Sequence, residues 1–342
     1  MTENTQKRRK DVQILWVGIA ASFLFTAAIW GLGPRLAAIQ HLPDTGASWY
    51  YWQLPEQSMA ARITAWSFYL VHQVAIWGLI YYAQRNKLRY TTGLHGVNYA
   101  ALGVNGFFII LHMVQTHVWY DGLAQDVSIW SSQFSVVLLL VLVLLMETPR
   151  RGLFFGQKVP LGKRVTSFVK KYHGYVFSWA IIYTFWYHPT EATSGHLIGF
   201  FYTFLLMLQG SLFFTRAHLN RWWTFTQEGM VLLHGTLVAY MSTNVWPMFG
   251  FGFAGLIVIT QMHGLGLSRA VRAGITAVYV VCALWVYNSR GWDKLDEIIR
   301  IPMIEYLSVF ALAAIIWLGL WIAQVITRLV NPPKPIESTA QA

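Results

Sequence analysis

Cysteine is almost absent. Cys282 stands alone among 342 residues, so no internal disulfide and no cysteine-based metal cluster can be built. It lies in an apolar run and reads as a small packing residue. Charge is also scarce: 11% of residues are charged and 56% are apolar, whereas a soluble domain carries about a quarter charged residues. That excludes an ordinary water-soluble domain. Acids are the rarer sign, 14 against 25 Lys and Arg, for a formal net charge of +11. No zinc finger, RNA-binding aromatic motif or basic reading helix accompanies this charge, so nucleic acid is set aside as a partner.

Several catalytic motifs are missing too. There is no H-E-x-x-H and no H-x-x-x-H pair of the membrane desaturase kind. No G-x-S-x-G and no phosphate-binding glycine loop occurs. No D-x-x-x-D points to a prenyl diphosphate, and no lysine lies deep enough in an apolar run to hold retinal. The two halves show no repeat, which weakens an inverted-repeat transporter.

What the chain does have is apolar length. A span needs roughly twenty mainly apolar residues. Ten windows qualify, near 12–33, 61–84, 97–119, 127–147, 168–188, 196–216, 222–243, 246–264, 270–288 and 304–328. The expected fold is therefore all-α: a polytopic membrane helical bundle of about ten helices, forming one domain over 12–330. The basic start 1–11 and a disordered tail 331–342 flank it. The run from Ile14 to Leu32 has no A-x-A site after it and reads as an uncleaved first helix. With the N-terminus inside, all but five of the 25 basic residues (Arg35, Arg62, Arg290, Lys294 and Arg300) fall on inner segments. This alternation predicts N-in and C-in topology, in a bacterial inner membrane.

Two outer segments are long. Residues 33–60 contain Trp49, Tyr50, Tyr51 and Trp52, expected at the headgroup level, with a lid over an outward-facing pocket as the second reading. Residues 288–302 contain an amphipathic stretch, Trp292 to Ile299, expected to lie flat on the membrane. The basic inner loop 149–171 is expected to attract anionic lipid headgroups.

Polar groups inside a bilayer are costly and tend to be functional. His72, His112 and His234 fall at comparable depth on three spans, and a convergence of the three would suit iron, zinc or copper. Asn98, Asn105 and His112 recur every seven residues, forming one polar stripe that must face the interior; for the asparagines the plainer role is interhelical hydrogen bonding. Glu228 would relay protons from the cytoplasm. At the outer face His117, Asp121, His188, Glu191 and His196 gather around short turns, a donor set for zinc or non-haem iron. His112 and His117, five positions apart, point about 140° from each other and cannot share one ion.

A third set suits haem. His173 and His188 lie on one helix, about 60° apart around its axis and roughly 22 Å along it. His196 and His218 would be their partners, but on a continuous helix they stand roughly 33 Å apart, too far for matched haem sites. The leading expectation is an integral membrane oxidoreductase holding haem b or non-haem iron, with quinone or another hydrophobic small molecule as substrate and membrane lipid around it. Its ligands would be His72, His112 and His234, with haem at His173 and His218. The alternatives are a proton-coupled transporter, a lipid-modifying transferase using the outer cluster, and an assembly subunit without chemistry.

Overall fold

The computed structural model describes residues 9–330 apart from Ala47, Asp121 and Thr243. The basic start before Arg9 and the tail after Val330 lie outside the described residues. Among the described residues there are ten α-helices and no β-strand. They are α1 (Lys10–Leu32), α2 (Met59–Arg85), α3 (Gly96–Trp119), α4 (Ile129–Arg151) and α5 (Lys163–Tyr187), then α6 (Ser194–Ser211), α7 (Arg221–Ser242), α8 (Trp246–Ile259), α9 (Arg269–Arg290) and α10 (Glu297–Val330). Each predicted window falls on one of them. Side-chain caps define several starts: Ser58, Ser128, Thr193 and Ser268 each accept a backbone N–H from the first turn.

Six helices are long and apolar enough to cross a membrane: α1, α2, α3, α4, α9 and α10. Their outward faces carry Leu24, Trp30, Trp285, Trp317 and Leu329, all largely exposed. An apolar surface of this extent suits lipid rather than water. The other four, α5 to α8, carry the polar cost. α5 opens with Lys163, Arg164, Lys170 and Lys171, α6 and α7 hold His, Gln and Glu, and α8 has only 14 residues. These four pack against one another in sequence and are flanked by the apolar six.

The chain runs between two ends. One, here the basic end, holds Arg9, Arg85, Arg151, Lys163, Arg221, Arg269 and Arg328; the far end holds the turns at 33–58, 120–128, 188–193 and 291–296. At the basic end Asp11, fully buried, takes Arg9 at 2.7 Å and accepts the Ala217 N–H at 2.8 Å.

Three features depart from expectation. First, α8 stops at Ile259, and a 3-10 turn over Gln261–Gly264 occupies the rest of the predicted window. The loop after α4 caps this break: Phe155 N–H reaches the Ile259 carbonyl and Thr260 Oγ1 the Leu153 carbonyl. Secondly, the stretch from Trp292 is not a helix of its own. A short 3-10 turn leads into α10 at Glu297, which Arg290 pairs bidentately at 2.7 and 3.0 Å. Thirdly, α6 ends at Ser211, short of the predicted 216. The chain then turns through Phe214, at φ +58°, into a 3-10 segment Ala217–Leu219.

α6 and α7 approach closely because α6 presents Gly195 and Gly199 one turn apart. Val238 and Met241 lie over Gly195, and a Cβ on Gly199 would stand 2.9 Å from His234 Nε2. Such small-xxx-small spacing lets helix backbones meet in lipid.

Candidate functional site

Histidines occupy two tiers. The far-end tier centres on His188, which follows α5, and His196, in the first turn of α6. Their ring centres are 5.8 Å apart. The Thr193 side chain caps α6 and lies 2.8 Å from His196 Nδ1, while Tyr50 Oη sits 2.7 Å from His196 Nε2. Tyr50 comes from the long 33–58 segment, which folds inward. Tyr50 is buried, Trp52 packs edge-on against His41 and His196, and Gln53 donates to the Ala124 carbonyl. Tyr50 and Trp52 thus pack inward onto the histidines, while Trp49 remains more exposed.

Beside this pair runs a second polar chain. His41 Nε2 lies 2.6 Å from Tyr120 Oη, which donates to Glu191 Oε1 at 2.7 Å. Because that hydroxyl proton is committed to Glu191, His41 Nε2–H is the donor to Tyr120. Burial pushes the His41 imidazole below its ordinary value of 6.5, with the Glu191 charge opposing. His41, Tyr50 and Tyr120 are absent from the sequence-based assignment. Only the aromatic run around Tyr50 signalled them, because their partners are 71 to 146 residues away. Asp121, assigned to this cluster, lies outside the described residues.

Beneath this tier His112 donates from Nε2 to the His188 carbonyl at 2.9 Å. Among the described residues the buried Nδ1 atoms of His112 and His188 have no hydrogen-bond partner, nor do Thr190 Oγ1 and the Gln115 amide. His234 reaches Gly199 from α7 and lies within Coulombic range of His188 and His196.

His72 is different. Its Nδ1 accepts the Trp186 indole N–H at 3.2 Å, so Nε2 carries the proton and donates to Asn105 Oδ1 at 2.8 Å; the ring stacks on Phe108. Asn105 passes the link to Ser211, and Asn98 holds the Ser211 and Phe213 carbonyls. The polar stripe is thus glue between α3 and the end of α6, as expected for the asparagines. His117 is tied to Met113 and Leu32 carbonyls, away from the cluster. Among the described residues no three His, Cys, Asp or Glu side chains form a group that would hold a metal ion. The expected triad of His72, His112 and His234 is therefore not assembled: His72 has both nitrogens in use, and His234 packs on α6.

The second tier is at the basic end. His173 and His218 have ring centres 6.5 Å apart. Each holds its Nδ1 against a backbone carbonyl, Lys170 for His173 and Gln209 for His218, both at 2.8 Å. A protonated Nδ1 leaves the Nε2 lone pair free to ligate, the arrangement typical of metal-binding histidine. The 33 Å objection to His218 fails because α6 ends early. The fold-back sets His218 level with Gln209, thirteen residues beyond His196, or roughly 20 Å along the axis. The fifteen residues between His173 and His188 rise roughly 22 Å on α5. The two tiers therefore match in depth.

Glu228 is not a free relay. It accepts both contacts of a buried ion pair from Arg151 Nη1, at 2.8 and 2.7 Å. The sequence placed Arg151 in the inner loop; as the last residue of α4 it instead turns inward. A carboxylate held this way serves as a counter-ion. No family model matches the chain, and no curated protein or solved structure gives a significant match.

Proposed function

We propose that this chain is a multi-pass membrane oxidoreductase of the dihaem cytochrome kind, with haem b between His173 and His218 at one depth and between His188 and His196 at the other. The observation that carries this reading is the pairing of both α5 histidines with histidines of the α6 segment at matched spacing. Haem supplies four ligands itself and asks the protein for axial side chains only. Each pair would then offer its two imidazoles, with ring centres 6.5 and 5.8 Å apart, to the iron of one haem, which would supply one-electron redox chemistry. The basic-end pair fits with Nε2 atoms free of protein partners; at the far end ligation by His196 Nε2 requires Tyr50 to withdraw. Non-haem iron, zinc or copper would need more side-chain donors than either pair offers. A quinone or similar flat hydrophobic molecule suits the aromatic walls of the far-end tier, where Tyr50 and the His41–Tyr120–Glu191 chain would meet its oxygens. The proposed topology has ten passes with both termini on the cytoplasmic face of a bacterial inner membrane, α8 completing its pass through the 3-10 turn.

Absorption spectra and iron analysis of detergent-purified protein from haem-replete cells test this. Two haems per chain are expected, with H173A or H218A removing one and H188A or H196A the other. Colourless, iron-free protein would overturn the reading. A proton-coupled carrier is the second reading. It is favoured by buried polar atoms without partners among the described residues: Glu305 Oε2 on α10, the Gln227 amide on α7 and Gln261 Oε1 just after α8. Proton flux in liposomes would then replace colour as the signal.

A further inference from the structure

The basic end holds a concentration of charge that the haem reading does not use. Three helices each bring a guanidinium to one short turn, His263–Gly266. From the last turn of α4, Arg150 Nη1 donates to the Gly264 carbonyl at 3.1 Å. From the first turn of α9, Arg272 Nη1 lies 2.9 Å from His263 Nδ1. From the first residue of α7, Arg221 lies so close to Gly266 that a Cβ there would be 2.9 Å from its Nη1. Gly266 has φ +75°, a conformation that suits glycine.

Like charges so close repel unless an anion offsets them. Among the described residues the acid paired with this set is Glu147, on Arg150, while Glu228 is engaged by Arg151. The starts of α7 and α9 flank the same turn, so two helix dipoles add positive potential. Arg150 and Arg221 are exposed at the rim, open to an approaching anion.

We infer that the His263–Gly266 turn, with Arg150, Arg221 and Arg272, is a binding site for a phosphate group, supplied by the headgroup of an anionic glycerophospholipid. Guanidinium forks match phosphate oxygens with paired hydrogen bonds. The site sits where a leaflet headgroup would meet the bundle, beside exposed Trp222, whose ring packs under Arg221. Its ligand is held by the arginines and would bind with or without haem.

Native mass spectrometry of the full-length, delipidated protein tests this, with phosphatidylglycerol, phosphatidylcholine and inorganic phosphate as separate probes. Wild type is expected to retain phosphatidylglycerol at activation energies that strip phosphatidylcholine, and R221Q/R272Q to lose at least tenfold of that preference. R221K/R272K keeps the charge and should recover part of it, which separates lost recognition from lost fold. Failure of inorganic phosphate to displace the lipid supports the lipid source. Binding of phosphate alone, lost in R221Q/R272Q, keeps the anion site but assigns it to a free phosphate. Equal retention of the two lipids, or equal retention by wild type and both variants, overturns the site.

Discussion

At the far end both ring nitrogens of His196 are met by protein, Thr193 on one side and Tyr50 on the other. At the basic end His173 and His218 are held through Nδ1 by backbone carbonyls, with their ring centres 6.5 Å apart. The far tier is thus tied through side chains of the 33–58 segment and the α6 cap, and the basic tier through backbone carbonyls in the same end of the bundle as the buried Arg151–Glu228 ion pair. A side-chain tie can be exchanged by itself, whereas a carbonyl tie moves only with its helix or turn.

The largest effect expected from breaking this contrast is at the ion pair. Glu228→Ala would leave Arg151 charged and alone, at a cost of about 3–5 kcal/mol, read as a large fall in thermal stability in detergent. Loss of stability no greater than that of a surface change would show that Arg151 finds another partner. A smaller effect is expected at the lid. Tyr50→Phe removes one hydrogen bond to His196 and should cost about 0.5–1.5 kcal/mol, while amide exchange over 41–53 accelerates. Unchanged exchange would mean that the hydroxyl does not hold the lid. The smallest effect is with pH. His41 is held below 6.5 by burial, so the unfolded or opened segment binds more protons, and closure weakens as pH falls through and below 6.5. Lid exchange should rise on acidification in wild type and lose this dependence in His41→Gln; a flat profile in wild type would remove His41 from the latch.

Each hydropathy window fell on one of the ten helices, although only six of them are long and apolar enough to cross a membrane. What escaped was everything decided by contacts distant in sequence. The window 196–216 reads as one helix since Leu212, Phe213 and Phe214 are apolar, yet the chain turns after Ser211. Asn98 and Asn105 take up the Ser211 region from α3, and that turn is what brings His218 to His173. Arg151 looked like one more basic loop residue because nothing local announces Glu228 as its partner. His72 looked like a ligand because a buried imidazole is costly; Trp186 and Asn105, which satisfy it, lie 114 and 33 residues away. The histidine-rich turn HPTEATSGH, by contrast, carried its own signal: its length alone forces His188 and His196 together.

Gly199 lends itself to a final use. The imidazole of His234 fills the space where a methyl at 199 would go, so the separation of α6 and α7 is gauged by one missing carbon. Gly199→Ala would force the His234 ring, or the two helices that carry it and Gly199, to move, without removing any imidazole. It is a steric handle on the geometry of the far tier, independent of the chemistry of its side chains.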